Sequence, residues 1–463
     1  MRIEAAMAAS YPRRPGNRVV PLVDGVPAFR AIASAVEAAR HSVWITVAFL
    51  DDDIAFPDGR GTFFDVIGRA AARGVDVRVL FWSEPEIEKL LVGSAHFPAG
   101  EKAFATLAER CPGVLARWDR LRGYCHHQKC WLVDAGTDTE IAFVGGINLD
   151  RDSVVSPGHP AGEAPVGASI HDVYAMLVGP SATDVHHNFV QRWNEASERS
   201  LPFGAFPSLA RADDLPFPSR LSREAGTSLV QVGRTVRADA YRRDFASPGA
   251  AIHPIAGGES SILEQYLAAV SSARRTIYLE NQILLCPFLI PQLDAALQRG
   301  VDVVAIVPGK TMPEIARARR HPQAAPVFAM LDALGRHPNF LMAALATPGD
   351  DGGVADVYVH AKVAVVDDEW LTIGSANAMF RSFRDDTELN VTTWDEGVAA
   401  GLRRELIAEH LGDAAGDSLA DDRRALRLLR ERALDNRQRR RDGSRMRGSA
   451  WAIEPTEWAV PED

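Results

Sequence analysis

Apolar residues recur along the chain in two alternating rhythms. From Phe29 to Ala39, and again from Ile262 to Val270, they fall at helical spacing, and each stretch feeds a β-rich run, Val43 to Leu50 and Thr276 to Leu285. A second helical pattern then ends at Arg-Gly, where Gly is the expected helix stop, and opens VDVRVLF at Val75 in one place and VDVVAIV at Val301 in the other. Helices alternating with short buried strands predict an α/β sandwich around a parallel or mixed sheet.

The two passes are copies of each other. AARHSVWIT from Ala38 lines up with SARRTIYLE from Ser272, RGVDVRVLF from Arg73 with RGVDVVAIV from Arg299, HQKCWLVD from His127 with HAKVAVVD from His360, and GGIN from Gly145 with GSAN from Gly374. The offsets are 234, 226, 233 and 229 residues, so a whole domain is duplicated rather than one motif. The fold class expected is therefore α/β, with two similar sandwich lobes in one chain related by a pseudo-twofold axis. Residues 1–210 form the first lobe, 211–228 a linker, and 229–463 the second lobe with an Arg-rich C-terminal tail. The join falls in residues 201–228, where four prolines interrupt any regular element. Pro157 to Ser169, rich in Gly, Pro and Ala, reads as a surface loop present in the first lobe only.

Composition narrows the class. The 463 residues suffice for two domains, and 46% hydrophobic with 24% charged residues is the balance of a globular protein. Apolar runs such as Val43 to Leu50 fall far short of the roughly 18 residues a membrane span needs. Glu4 and the Tyr-Pro-Arg-Arg run break the N-terminus before a secretory apolar core can form. The four cysteines are too few for a disulfide framework, so a cytoplasmic protein is expected. A net charge of -10 offers no general attraction to nucleic acid. Residues 421–447 carry 11 Arg against 5 acidic residues, and read as a solvated helical face or a frayed tail.

The repeated motif carries the chemistry. Strand alternation puts His360 and Lys362 on one face, with Ala361 on the other. An imidazole can serve as nucleophile or base and an ammonium as a fixed cation, so the pair suits attack on a phosphorus centre. Asn377 follows a Gly-Ser turn, where a small residue allows close approach and the amide can donate to an anionic oxygen. The spacing occurs twice, as His127, Lys129, Asp134, Gly145 and Asn148, and as His360, Lys362, Asp367, Gly374, Ser375 and Asn377. A zinc site at Cys125, His126, His127 and Cys130 matches no common ligand spacing.

These residues resemble the phospholipase D superfamily, whose hallmark is HxKxxxxD with a downstream GGxN or GSxN. HDVYAMLVGPSATDVHHNFVQRWN, SLVQVGRT, ESSILEQYLAAV, YLENQ, RDDTELNV and LRRELIAEHLG are similar to blocks of the plant- and animal-type enzymes, so the resemblance covers roughly residues 20 to 412. It implies one active site at the lobe interface and a two-step displacement through a phosphohistidine. His127 is the implied nucleophile and His360 the acid/base. Lys129, Lys362, Asn148 and Asn377 would surround the phosphate. Asp172 and Glu388 would each orient a catalytic histidine. Asp134 and Asp367, at strand ends, are taken as structural turn or cross-lobe hydrogen-bonding residues, with Gly145, Gly374 and Ser375 completing the structural motif. His126, His171, His186 and His187 are supporting groups. The implied chemistry needs no metal and no cofactor. The ten residues between Asp134 and Gly145, against six between Asp367 and Gly374, predict a longer hairpin in the first lobe.

The activity implied is hydrolysis of a glycerophospholipid head-group ester to phosphatidic acid, with transphosphatidylation to alcohols. The partners implied are a phospholipid and, peripherally, a membrane surface, without nucleic acid. One chain holding both half-sites is expected to act as a monomer. Cardiolipin synthase-like phosphatidyl transfer is the alternative. A nuclease or a non-enzymatic lipid-binding protein ranks lower, the latter because such relatives usually lose a His or Lys that both copies keep here.

Overall fold

The computed structural model describes residues 3–4, 10–82, 107–119, 125–160, 162–163, 169–196, 213–252, 254–348, 354–412 and 416–460. A continuous mixed sheet passes through both halves of the chain. Across the first half the order is Leu115–Asp119, Asp76–Trp82, Ser42–Val47, Cys130–Val133, Ile141–Gly145, Val173–Val178, Arg14–Val23. The second half runs Ser228–Val236, Glu388–Thr393, Trp370–Gly374, Lys362–Val366, Thr276–Asn281, Asp302–Ile306, Phe340–Pro348. Read from the centre outward, the two orders match strand for strand. The outer three strands of each half are parallel and the rest antiparallel. The halves meet where Arg14 pairs with Val230 and Asn17 with Ser228, across a break in register. This is the pseudo-twofold arrangement of two α/β lobes that the repeats predict.

Strands covered on both faces should read as unbroken apolar runs rather than alternating ones. SVWITV and TIYLEN carry apolar residues at consecutive rather than alternating positions over VWI and IYL, and every residue in them is buried. On the outer face of the first half, Phe29, Ile32 and Val36 of helix Gly25–Ala38 join Phe64 and Ile67 of helix Phe63–Ala72 against Val43, Ile45, Val77 and Val79. Fully burying such a side chain contributes roughly 1.5–3 kcal/mol, so truncating Phe29 to Ala should cost about 3–5 kcal/mol. Helices Ser261–Ser272 and Ile290–Gln298 do the same for the second half. The inner faces share one core, into which Ala182–Glu195, Glu396–Leu411 and Asp422–Arg441 pack.

Local signals act as their chemistry requires. Thr62 caps its helix reciprocally with Asp65, a capping box. Both Arg-Gly stops are present, with Gly74 and Gly300 each at φ +83°. The first helix begins at Gly25, four residues before the apolar pattern becomes regular. The strand after it ends at Val47 rather than Leu50, because Leu50 leaves the sheet to bridge Leu149.

Three expectations change. Of the two readings of the Arg-rich segment, the helical face holds and the frayed tail does not: Ala425, Leu426, Leu429 and Ala433 dock one side of the helix, and the chain beyond it returns as strand Ala450–Ala452 beside Phe340–Pro348. The linker lies outside the described residues up to 212. From 213 onward it is tied down, with Leu215 in the shared core and exchanging hydrogen bonds of 2.8 Å with the Asn194 side chain. Of the loop 157–169, residues 161 and 164–168 lie outside the described residues. His159 within it is only 4% exposed, so this part turns inward. No helix among the described residues is long and apolar enough to cross a membrane.

Candidate active site

Each HxK motif enters its strand after running beside the other half of the chain. His126 bridges Thr387 in parallel, and the His127 amide donates to Thr387 O at 2.9 Å. In the mirrored place Tyr358 and Val359 pair with Ile170 and His171, and the His360 amide donates to His171 O at 2.8 Å. The crossed strands therefore deliver each acid to the opposite histidine. His127 Nδ1 lies 3.1 Å from both carboxyl oxygens of Glu388 and 3.0 Å from Ser375 O. His360 Nδ1 lies 2.6 Å from Asp172 Oδ2.

Carboxylates and carbonyls accept, so both Nδ1 atoms carry hydrogen and both Nε2 atoms are left to face the site. The imidazole centroids are 6.4 Å apart. Lys129 and Lys362 come with them: Lys129 Nζ donates to His127 O at 2.8 Å, and Lys362 Nζ to His360 O and to Gln282 Oε1 at 3.3 Å. Phe49 stands 5.8 Å from the Lys129 ammonium and 6.3 Å from the His127 ring. The side-chain oxygens of Asn148 and Asn377 are buried without a hydrogen-bond partner.

Glycine at the turns has a steric reason. A Cβ on Gly374 would lie 2.1 Å from Asn390 Oδ1, and one on Gly145 2.4 Å from Val173 O. A Cβ on Gly146 would lie 2.4 Å from Asp172 Oδ1, so this glycine makes room for the acid. Ser375 fills the matching place in the second copy and donates to Glu388 Oε2 at 2.5 Å.

Burial, then the ammonium groups of Lys129 and Lys362, hold His127 well below the usual imidazole range. Burial and the same two lysines hold His360 there too. Burial pushes Asp172 and Glu388 each up to about 7, and Lys362 down to about 7. Burial also lowers Lys129. A closed site with two ammonium groups favours uncharged imidazoles, each keeping its Nε2 lone pair. An incoming anion would favour a proton on one of them.

Asp134 and Asp367 stand apart from this group, both at positive φ, 53° and 54°. Asp134 Oδ1 accepts from the amides of Arg40, His41 and Ser42 at 2.9, 2.7 and 3.3 Å. Asp367 accepts from those of Arg274, Arg275 and Thr276 at 2.9, 2.7 and 2.9 Å. They pin the helix-to-strand turn within their own half. The hairpin after Asp134 runs to Ile141, whereas its counterpart turns back at Trp370. His126 pairs with Asp119, His186 with Glu140, and His187 with Tyr11. Cys130 Sγ lies 3.3 Å from Thr46 Oγ1, while His126 and His127 face Asp119 and Glu388.

Gln282 and Asn281 are residues the motif did not point to. Gln282 links Lys362 to the Tyr358 hydroxyl, and Asn281 Oδ1 accepts from the Ala378 amide at 2.9 Å, supporting the Asn377 turn. Their signal was the polar end of YLENQ, which breaks the apolar strand pattern.

A family model described as cardiolipin synthase, PLD-like domain, matches residues 32–158 and 266–409, more than half of the chain. The chain belongs to the phospholipase D superfamily. A second family model, described as phospholipase D, matches residues 162–289. Members of the superfamily are phosphodiesterases or phosphatidyltransferases. Phospholipase D alpha 1 of Brassica oleracea var. capitata is 22% identical over 82% of this chain, which spans 63% of that protein's length. Cardiolipin synthase A of Pseudomonas entomophila (strain L48) is 26% identical, over 90% of this chain and 72% of the relative. A crystal structure of phosphatidylserine synthase from Haemophilus influenzae Rd KW20 shares the fold, with a TM-score of 0.55 and 13% identity over 86% of this chain and 88% of that one.

Proposed function

We propose that this superfamily member is a phospholipase D-type phosphodiesterase that releases the head group of a glycerophospholipid to give phosphatidic acid, or transfers the phosphatidyl group to an alcohol. The observation that carries the reading is the pair of crossed histidine–carboxyl contacts, His127 with Glu388 and His360 with Asp172, which aim two Nε2 atoms into one site. In the first step His127 Nε2 forms a bond to phosphorus as the bond to the head-group oxygen breaks, and His360 Nε2 gives that oxygen its proton. In the second, His360 takes a proton from water or an alcohol, whose oxygen attacks phosphorus and breaks the N–P bond. Both histidines end as they began.

The contacts support this division of roles. The 2.6 Å contact to Asp172 makes His360 the better proton holder, while His127 shares Glu388 at 3.1 Å with the Ser375 hydroxyl. Lys129, Lys362 and the amides of Asn148 and Asn377 stabilise the nonbridging oxygens as charge builds in the pentacoordinate state. Asp172 and Glu388 fix ring orientation and tautomer. Assay of phosphatidylcholine, phosphatidylglycerol and single-stranded DNA side by side tests the reading. Release of choline or glycerol with phosphatidic acid supports it, and cleavage of DNA alone contradicts it.

A second reading is phosphatidyl transfer to a lipid alcohol, favoured by the cardiolipin synthase family model in both halves of the chain and by the 90% coverage against cardiolipin synthase A. Phosphatidylglycerol as the sole lipid distinguishes them, since transfer gives cardiolipin and free glycerol whereas hydrolysis gives phosphatidic acid.

A further inference from the structure

Behind the phosphate site, four side chains from separate parts of the chain converge. Asp24 precedes the first helix, His159 sits in the inward turn of loop 157–169, His171 is the residue before Asp172, and Glu409 comes from helix Glu396–Leu411 of the other half. Asp24 and His171 are 0% exposed and His159 4%. His159 Nε2 lies 3.4 Å from Asp24 Oδ2, 3.4 Å from His171 Nδ1 and 3.7 Å from Glu409 Oε1. His171 Nδ1 lies 2.8 Å from Asp24 Oδ1 and 3.9 Å from Glu409 Oε1. Four ligands at zinc–nitrogen and zinc–oxygen distances of about 2.0–2.2 Å in a tetrahedron stand about 3.3–3.6 Å apart.

Two further observations point to a cation. Asp24 Oδ2 and Glu409 Oε2 are buried without a hydrogen-bond donor. Among the described residues, no Lys or Arg pairs with Asp24, Glu409 or the adjacent Glu280, whose ion-pair partners are all histidines. The outer nitrogens are also held. His159 Nδ1 lies 2.6 Å from Ser169 Oγ, and His171 Nε2 lies 2.9 Å from Glu280 Oε2, which leaves His159 Nε2 and His171 Nδ1 turned to the centre. Glu280 is itself held by His410 at 2.7 Å.

We propose that Asp24, His159, His171 and Glu409 bind one divalent transition-metal ion, of which zinc fits the donor set of two imidazoles and two carboxylates. The ion replaces the proton between His171 Nδ1 and Asp24 and releases it to solvent, and His171 keeps its Nε2–H on Glu280. It takes no part in the displacement at phosphorus, and the inference stands apart from the reading of that reaction. Its effect is to staple the halves, since Glu409 belongs to one and the other three ligands to the other. Through His171, whose carbonyl accepts from the amides of His360 and Ala361 at 2.8 and 3.1 Å, it steadies the segment that carries Asp172.

Equilibrium dialysis of the chelator-stripped full chain against zinc, with metal analysis, tests the proposal, and cobalt(II) reports geometry through its visible bands. The expected result is one zinc per chain, a raised thermal midpoint, and a four-coordinate cobalt spectrum. His159→Ala and Glu409→Gln, each checked for fold by circular dichroism, should each weaken zinc binding at least tenfold and lose that spectrum. If either fails to fold, the other decides. No bound zinc, or zinc bound equally well by a folded variant, overturns the proposal and leaves a proton-bridged ion-pair cluster.

Discussion

Asp172 and His360 are 188 residues apart in sequence, yet their side chains meet at 2.6 Å because the chain crosses between halves just before each of them. An acid in that position fixes a tautomer, and an amide of the same shape does not. Asp172→Asn should therefore fold normally and lower turnover by about 10² to 10⁴-fold, with a smaller change in KM. Wild-type turnover in the folded variant would mean that the contact is structural only.

Gly146→Ala tests the same contact from behind. The added methyl would stand 2.4 Å from Asp172 Oδ1, so the carboxyl must rotate away from His360. The expected result is an activity loss approaching that of Asp172→Asn. An active Gly146→Ala protein would show that Asp172 can move without consequence.

The pH profile should report Lys362. Its folded value, pushed down to about 7 by burial, lies below its ordinary one, so it is charged below about pH 7 and loses its proton as pH rises through that value. The phosphate then loses a cation, and kcat/KM should fall on the alkaline side. Lys362→Arg, whose guanidinium stays charged, should move that limb upward even if the plateau drops. An unmoved limb would assign it to another group.

Neither half should work alone. His127 takes its acid from the second half and His360 from the first, and separating them also exposes the strand edges Arg14–Val23 and Ser228–Val236. Residues 1–210 and 229–463 made separately should be inactive, with activity regained on mixing. Turnover by either fragment as a monomer would contradict a shared site.

The duplicated strand pattern, the two HxK motifs and the Arg-Gly helix stops were legible because each is a local signal, a periodicity or a fixed spacing. What the sequence could not display is the crossing: nothing local in IHDV or TELN says which histidine each acid will meet, since that depends on pairing across more than 180 residues. Asp134 and Asp367 are a case between the two. Their place at a strand end was visible, and their three backbone donors were not, because those lie some 90 residues earlier in each half. The buried cluster at His171 was hidden for a similar reason. Asp24, His159 and Glu409 have no spacing in common, and Glu409 reaches the other two from the opposite half. The Arg-rich segment has the solvated helical face that its charges suggested, but its docking was hard to see because its four apolar anchors are few among many charges.

The central claim is that one histidine holds the phosphatidyl group while the other moves the proton, and trapping the intermediate tests it most directly. With a phosphatidyl substrate labelled in the phosphate and carrying p-nitrophenol as leaving group, quenching the wild-type protein in denaturant at alkaline pH should recover label on His127 that is then lost on acid treatment. In His360→Ala the label should accumulate on His127, because a good leaving group needs no proton and no base remains to activate water. In His127→Ala no label should form. Label on His360 in the His127→Ala protein would reverse the two roles, and label on neither histidine in any of the three proteins would contradict the covalent mechanism.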